Sequence, residues 1–161
     1  MSNFWNNNPD LMMKRANALR CIVKEIEARR VAGVWSEGAF LATPILLSLA
    51  VEIALKAWQR KERVAPPERE HDLLKLFNAL SEDTQKRISA LMPEAVAPAI
   101  LPEAASGIET ALFRNRKLFV EWRYAYEHSG VVAETGILSM ALDAIVDAYR
   151  SIETWKGFIG E

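Results

Sequence analysis

Apolar residues recur along this chain at intervals of three and four and never alternate over a useful length, so the pattern predicts helices and no strands. Pro9-Asp10 reads as a helix entry. Leu11, Met12, Leu19, Ile22, Val23 and Ile26 then mark one face, with Lys14, Arg15, Lys24, Glu25, Arg29 and Arg30 on the other. This helix is expected to run to about Val31 and fail at Gly33, with residues 1–9 forming a frayed arm. A second helix is expected to open near Gly38 and Pro44, because proline is tolerated in a first turn. From Ile45 to Trp58 it is apolar round most of its circumference, which predicts a central helix touched by several neighbours or by a second subunit. Only Ser48, Glu52 and Lys56 interrupt it, in one stripe at four-residue spacing. That stripe reads as a polar edge reaching solvent, with Glu52 placed before Lys56 in the favourable order for an ion pair.

Arg60 to Glu70 is a charged connector broken by Pro66-Pro67. His71-Asp72 opens the next helix, whose apolar face is Leu73, Leu74, Leu76, Phe77 and Leu80. Ser81, followed by Glu82 and Asp83, has the hydroxyl cap and acidic first turn of a further short helix ending at Pro93. Residues 93–106 are rich in alanine and proline and form a long loop, either a mobile flap or a segment anchored by Val96, Ile100 and Leu101. A fourth long helix is expected from Ile108 to about Glu127, stopping before Ser129-Gly130, with Leu118, Trp122 and Tyr126 on its core face. The last helix carries Ile137, Leu138, Ala141, Leu142, Ile145, Tyr149, Ile152 and Trp155 on one side. The expected architecture is one all-α domain over residues 1–161, an antiparallel bundle of four to five helices.

Composition narrows the function classes. With 161 residues, half hydrophobic and a quarter charged, the chain can bury a core without disulfides and is not disordered in character. Its net charge of −1 gives no global positive field, so a nucleic-acid partner would need a local basic patch. Arg114, Arg116 and Lys117 are the best candidates for one. The lone Cys21 is expected to be a buried small hydrophobe. The start lacks the order of a signal peptide, and the most apolar window, Phe40 to Trp58, carries Glu52 and Lys56 near its centre. A soluble cytoplasmic protein with no membrane association is expected.

Chemistry is scarce. Glu68-Arg-Glu-His71 has the spacing of a di-iron ligand pair, but no second copy exists, and two histidines and one cysteine are too few for a zinc site. No metal or cofactor is expected. His71 reads instead as a helix-entry residue bonding backbone or a neighbouring side chain. No serine or cysteine has the surroundings of a nucleophile, which leaves Arg123 and His128.

Three blocks, Leu49-Ala-Val-Glu-Ile-Ala-Leu-Lys56, His71-Asp-Leu-Leu-Lys-Leu-Phe77 and Phe119-Val-Glu-Trp-Arg-Tyr-Ala-Tyr-Glu127, resemble the HEPN superfamily of all-α domains from about Phe40 onward. The resemblance implies a homodimer, and for many members metal-independent endoribonuclease activity in toxin–antitoxin or antiviral systems. Their hallmark is an arginine, four to six residues, then a histidine; Arg123-Tyr-Ala-Tyr-Glu-His128 satisfies it with four, although Tyr124 stands where catalytic members often have a small polar residue. On this reading Arg123 holds phosphate, His128 moves a proton, and Glu127 or Tyr126 orients the site. Histidine titrates near neutrality and arginine offers a permanent planar fork to phosphate oxygens, so the pair suits cleavage at a 2′-hydroxyl.

Two rival readings stand beside it. On a straight helix five residues turn through about 140°, so the two side chains converge only if the helix breaks before His128. Otherwise Arg123 pairs with Glu127 or Glu52 to hold the bundle, and His128 is a helix-end residue. The chain is then a catalytically silent domain that binds a partner protein or nucleotide, or the antitoxin half of a pair.

Overall fold

A computed structural model describes residues 8–34, 36–64, 70–93, 107–124 and 133–152. Among these residues every regular element is a helix and there is no strand, so the chain is all-α as its periodicity predicts. In chain order the helices are α1 (Pro9–Val31), α2 (Glu37–Lys61), α3 (Leu73–Asn78), α4 (Glu82–Ser89), α5 (Gly107–Arg114), α6 (Leu118–Arg123) and α7 (Thr135–Arg150). Residues 1–7, 35, 65–69, 94–106, 125–132 and 153–161 lie outside the described residues, and with them most of the expected arm and loop.

Asn8 starts α1. Its side-chain oxygen accepts from the Asp10 and Leu11 amides at 3.0 and 3.2 Å, and Pro9 occupies the first position. Asn8 and Pro9 therefore belong to the helix entry and not to a frayed arm. The buried line of α1 is Met13, Ala16 and Val23, with Met12 and Leu19 packed at its margin. The expected face was rotated from this: Ile22 is 45% exposed. Cys21, five residues and about 140° beyond Ala16, is exposed and not a core residue. α1 packs on both α2 and α7, and those two neighbours fix which line turns inward.

Ser36 opens α2 by accepting from the Ala39 amide at 3.1 Å, so Pro44 lies in the helix interior and not in its first turn. Proline has no amide hydrogen to offer the Phe40 carbonyl. Side-chain bonds gather on the turns around it. The Trp122 indole donates to the adjacent Leu41 carbonyl at 2.8 Å. Thr43 and Ser48 hydroxyls bond the Ala39 and Pro44 carbonyls, each at 2.7 Å. By length and composition α2 is apolar enough to cross a membrane. Here it is the central helix, with Val51, Ala54, Leu55 and Trp58 in the core and α1, α3, α6 and α7 against it.

Polar contacts fix the helix directions. Asp10 at the start of α1 meets Lys61 at the end of α2 at 3.5 Å, and accepts from the Tyr149 hydroxyl at the end of α7 at 2.6 Å. α1 is therefore antiparallel to both. Trp58 bridges α2 and α7, donating to the Ile145 carbonyl at 3.2 Å and meeting the Tyr149 ring edge-on at 5.0 Å. Burial, then the Asp10 carboxylate, push the Tyr149 phenol far above its ordinary range, so it stays a donor.

α3 and α4 start where their caps predict. Asp72 accepts from the Leu74 and Lys75 amides at 3.1 and 3.2 Å, and Ser81 from the Thr84 amide at 3.3 Å. The expected helix from Ile108 to Glu127 is interrupted. Asn115, fully buried, bonds the Ala111 carbonyl at 2.9 Å and accepts from the Glu134 amide at 3.2 Å. Holding α7's entry this way ends α5 at Arg114, and a tight turn through Lys117 starts α6 on a new axis.

Candidate functional site

α6 carries the sequence-predicted site. Leu118 is buried and Trp122 half-buried, which seats the helix on α2. Arg123 is its last residue, and the Tyr124 amide closes it on the Glu121 carbonyl at 3.2 Å. Tyr126, Glu127 and His128 lie outside the described residues. The described structure therefore does not bring Arg123 and His128 together or hold them apart.

The basic candidates upstream have diverged in use. Arg114 donates to the Glu134 carboxylate at 2.8 Å, so its charge is matched at the entry to α7. Arg116 is exposed and stacks over the Phe113 ring at 4.8 Å. Lys117 is exposed, and its carbonyl accepts from the Val120 and Glu121 amides at 3.0 and 2.9 Å to start α6. Two exposed cations, Arg116 and Lys117, thus stand together at the head of the helix that ends in Arg123.

A second group of polar residues, separated in sequence, meets beneath α6. Glu52 is only 6% exposed although it projects from the most apolar helix of the chain. Lys56 donates to its Oε1 at 2.7 Å, as the four-residue spacing predicts. His71 Nδ1 lies 3.2 and 3.1 Å from Oε1 and Oε2. A carboxylate can only accept, so Nδ1 carries the hydrogen and Nε2 is the free position of the ring. The stripe Ser48, Glu52, Lys56 is therefore not an edge reaching solvent. Ser48 is fully buried with its hydroxyl turned onto its own helix, and Glu52 is covered by Lys56 and His71.

The entry to α3 holds His71 in place. Glu70 Oε1 accepts from the His71 and Asp72 amides at 3.1 and 2.9 Å, and Glu70 Oε2 faces Lys75 at 3.4 Å. The Asp72 amide draws the Glu70 carboxyl below its ordinary value; slight burial opposes this, and Lys75 and the His71 amide reinforce it. The Leu73 amide donates to the Arg116 carbonyl at 3.0 Å, tying this segment to the turn before α6. The Phe119 ring of α6 lies 6.1 Å from the imidazole. The sequence reading of His71 as a helix-entry residue bonded to a neighbour is correct; its partner, nineteen positions back in α2, was not legible from spacing.

Between the end of α1, the start of α2, Trp122 and the start of α7 lies a cavity of about 430 Å³. Phe40, Pro44 and Trp122 give it apolar walls, and Glu27 and Arg30 give it charged ones. Phe40 and Trp122 meet edge-to-face at 6.4 Å. Among the described residues no group of three or more histidine, cysteine or acidic side chains is placed to hold a metal ion.

No protein-family model, curated protein or solved structure matches this chain.

Proposed function

We propose that this chain is a HEPN-like, homodimeric, cytoplasmic domain that cleaves RNA without a metal ion, of the toxin–antitoxin or antiviral kind. The observation that carries the reading is the end of α6 at Arg123 with Tyr124 as its cap. An unbroken helix would impose about 140° between residues 123 and 128; this helix stops first. Arg123 then binds the scissile phosphate as charge builds, His128 takes the 2′-hydroxyl proton, and Glu127 or Tyr126 orients them. Arg116 and Lys117 guide the RNA backbone toward the end of the helix, with Arg114 restrained by Glu134. The dimer forms through the apolar residues left exposed on α2 and α6, Phe40, Leu41 and Val120.

The test is incubation of purified protein with RNA in the presence of a chelator. Fragments ending in 2′,3′-cyclic phosphate are expected, with losses of about 10²-fold or more in Arg123→Ala and His128→Ala. The same preparation should elute as a dimer on sizing. Intact RNA under these conditions removes the nuclease reading. The aromatic-walled cavity beside Trp122 favours one alternative, a silent domain binding a nucleotide or partner protein. Nucleotide binding by a protein that leaves RNA intact would establish it.

A further inference from the structure

We infer that the cavity between the end of α1, the start of α2 and Trp122 is a binding site for a free aromatic α-amino acid. The ligand's ammonium meets Glu27, its carboxylate meets Arg30, and its ring enters beside Phe40 and Trp122. The inference goes beyond RNA cleavage and does not depend on it.

Two charges on α1 are left unspent. Glu27 and Arg30 are three residues apart, hence neighbours on the helix surface, and both line the cavity. That spacing allows an ion pair, yet neither side chain has an ion pair or hydrogen bond, with the other or with any further residue. Glu27 is half-buried, so its carboxylate gives up part of its water without gaining a protein donor. Elsewhere on α1 the charged side chains that turn toward neighbouring helices find partners. Arg20 meets Asp143 at 2.6 Å, and Asp10 meets Lys61 at 3.5 Å. An anion and a cation side by side at one edge of a cavity, not bonded to each other, complement a ligand that carries both charges close together.

The remaining wall sets the body of that ligand. Ile26, Phe40, Pro44 and Trp122 are apolar, and Phe40 meets Trp122 edge-to-face with ring centroids 6.4 Å apart. A third ring extends such a pair in the arrangements that aromatic groups prefer. The wall stands ready before any ligand arrives, because the Leu41 carbonyl holds the Trp122 indole at 2.8 Å and Pro44 is buried in α2. A preformed wall spares the ligand the cost of ordering it. At about 430 Å³ the cavity lies toward the small end of the range for ligand pockets, which suits a single amino acid. The head groups then choose among its sources. A peptide's amino terminus offers an ammonium without an adjoining carboxylate, and its carboxyl terminus offers the reverse. Only the free amino acid satisfies Glu27 and Arg30 together.

The test is an NMR titration of the full-length protein with L-phenylalanine, hydrocinnamate and phenethylamine, read on the probe signals. Hydrocinnamate lacks the ammonium and phenethylamine lacks the carboxylate. Phenylalanine is expected to bind with a dissociation constant below about 1 mM, and each truncated probe about tenfold or more weakly. Arg30→Gln should weaken phenylalanine and hydrocinnamate and leave phenethylamine unchanged. Glu27→Gln should weaken phenylalanine and phenethylamine and leave hydrocinnamate unchanged. Glutamine is a good helix former, so both variants keep α1, and an unaltered circular dichroism spectrum verifies it. A wild-type dissociation constant for phenylalanine above about 1 mM overturns the inference. Substitutions that weaken all three probes alike, or none, also overturn it, and so does tighter binding of AMP than of phenylalanine.

Discussion

Two helix ends in this molecule are built alike from different residues. At the end of α1 the Val34 amide reaches back to the Arg29 carbonyl at 2.9 Å and Gly33 to Arg30 at 3.0 Å. At the end of α2, Val64 reaches Gln59 at 2.8 Å and Arg63 reaches Arg60 at 3.1 Å. Both are Schellman turns, which place one residue in the left-handed region. Gly33 has φ 79° and Arg63 has φ 60°. Glycine takes this conformation freely, whereas an L side chain costs about 1–2 kcal/mol. Arg63→Gly is expected to stabilise the protein by about 0.5–1 kcal/mol in urea unfolding. Gly33→Ala should destabilise it by about 1 kcal/mol even though an added Cβ meets nothing within 4 Å. Equal and negligible effects at both positions would mean that these turns are not fixed in solution.

Asn115 acts on whole elements. Its side chain is fully buried and bonds the end of α5 to the entry of α7. Alanine there would leave the Glu134 amide without its side-chain acceptor and release the joint that separates α5 from α6. Asn115→Ala is expected to cost about 1–3 kcal/mol in denaturant unfolding. A loss below about 0.5 kcal/mol, the range of ordinary surface changes, would contradict this role. Trp122 works similarly between α6 and α2, covering a carbonyl beside the one that Pro44 cannot serve. The site's geometry thus depends on two joints, one on each side of α6.

Over the whole molecule, stability is expected to fall on acidification, and two carboxylates indicate where. Glu62, at the end of α2, accepts from the Ser81 amide at 2.9 Å, the Ser81 hydroxyl at 2.7 Å and the Thr84 hydroxyl, joining α2 to α4. Burial raises its proton affinity, but the bonds from Ser81 and Thr84 outweigh it and hold the carboxyl below its ordinary value. Glu70 is lowered too, first by the Asp72 amide. A carboxyl lowered by folding contributes stability that is fully present above its unfolded pKa, about 4.3. The contribution is lost as pH falls through the folded value. Unfolding midpoints should therefore drop below about pH 4.5, and Glu62→Gln should flatten part of that slope. An unchanged slope in Glu62→Gln would assign the acid sensitivity elsewhere.

Local chemistry was enough to determine part of this protein. Periodicity made it helical, Asp72 and Ser81 began their helices, Gly33 ended one, and Glu52 paired with Lys56 one turn away. Each of these depends on residues within a few positions of one another, where helix geometry alone fixes the distance. Tertiary structure decided the rest. The end of α2 carries no glycine to mark it: Arg63 takes the left-handed position in the same kind of turn that Gly33 closes on α1. Pro44 lies in a helix interior, and Trp122, far along the chain, bonds the Leu41 carbonyl beside the one that proline leaves. Cys21 and Ile22 faced outward because two packing partners chose another line on α1. The approach of His71 to Glu52 spans a proline-broken connector, and no sequence period encodes a meeting of that kind. Only the packing of α3 on α2 brings the imidazole to that carboxylate.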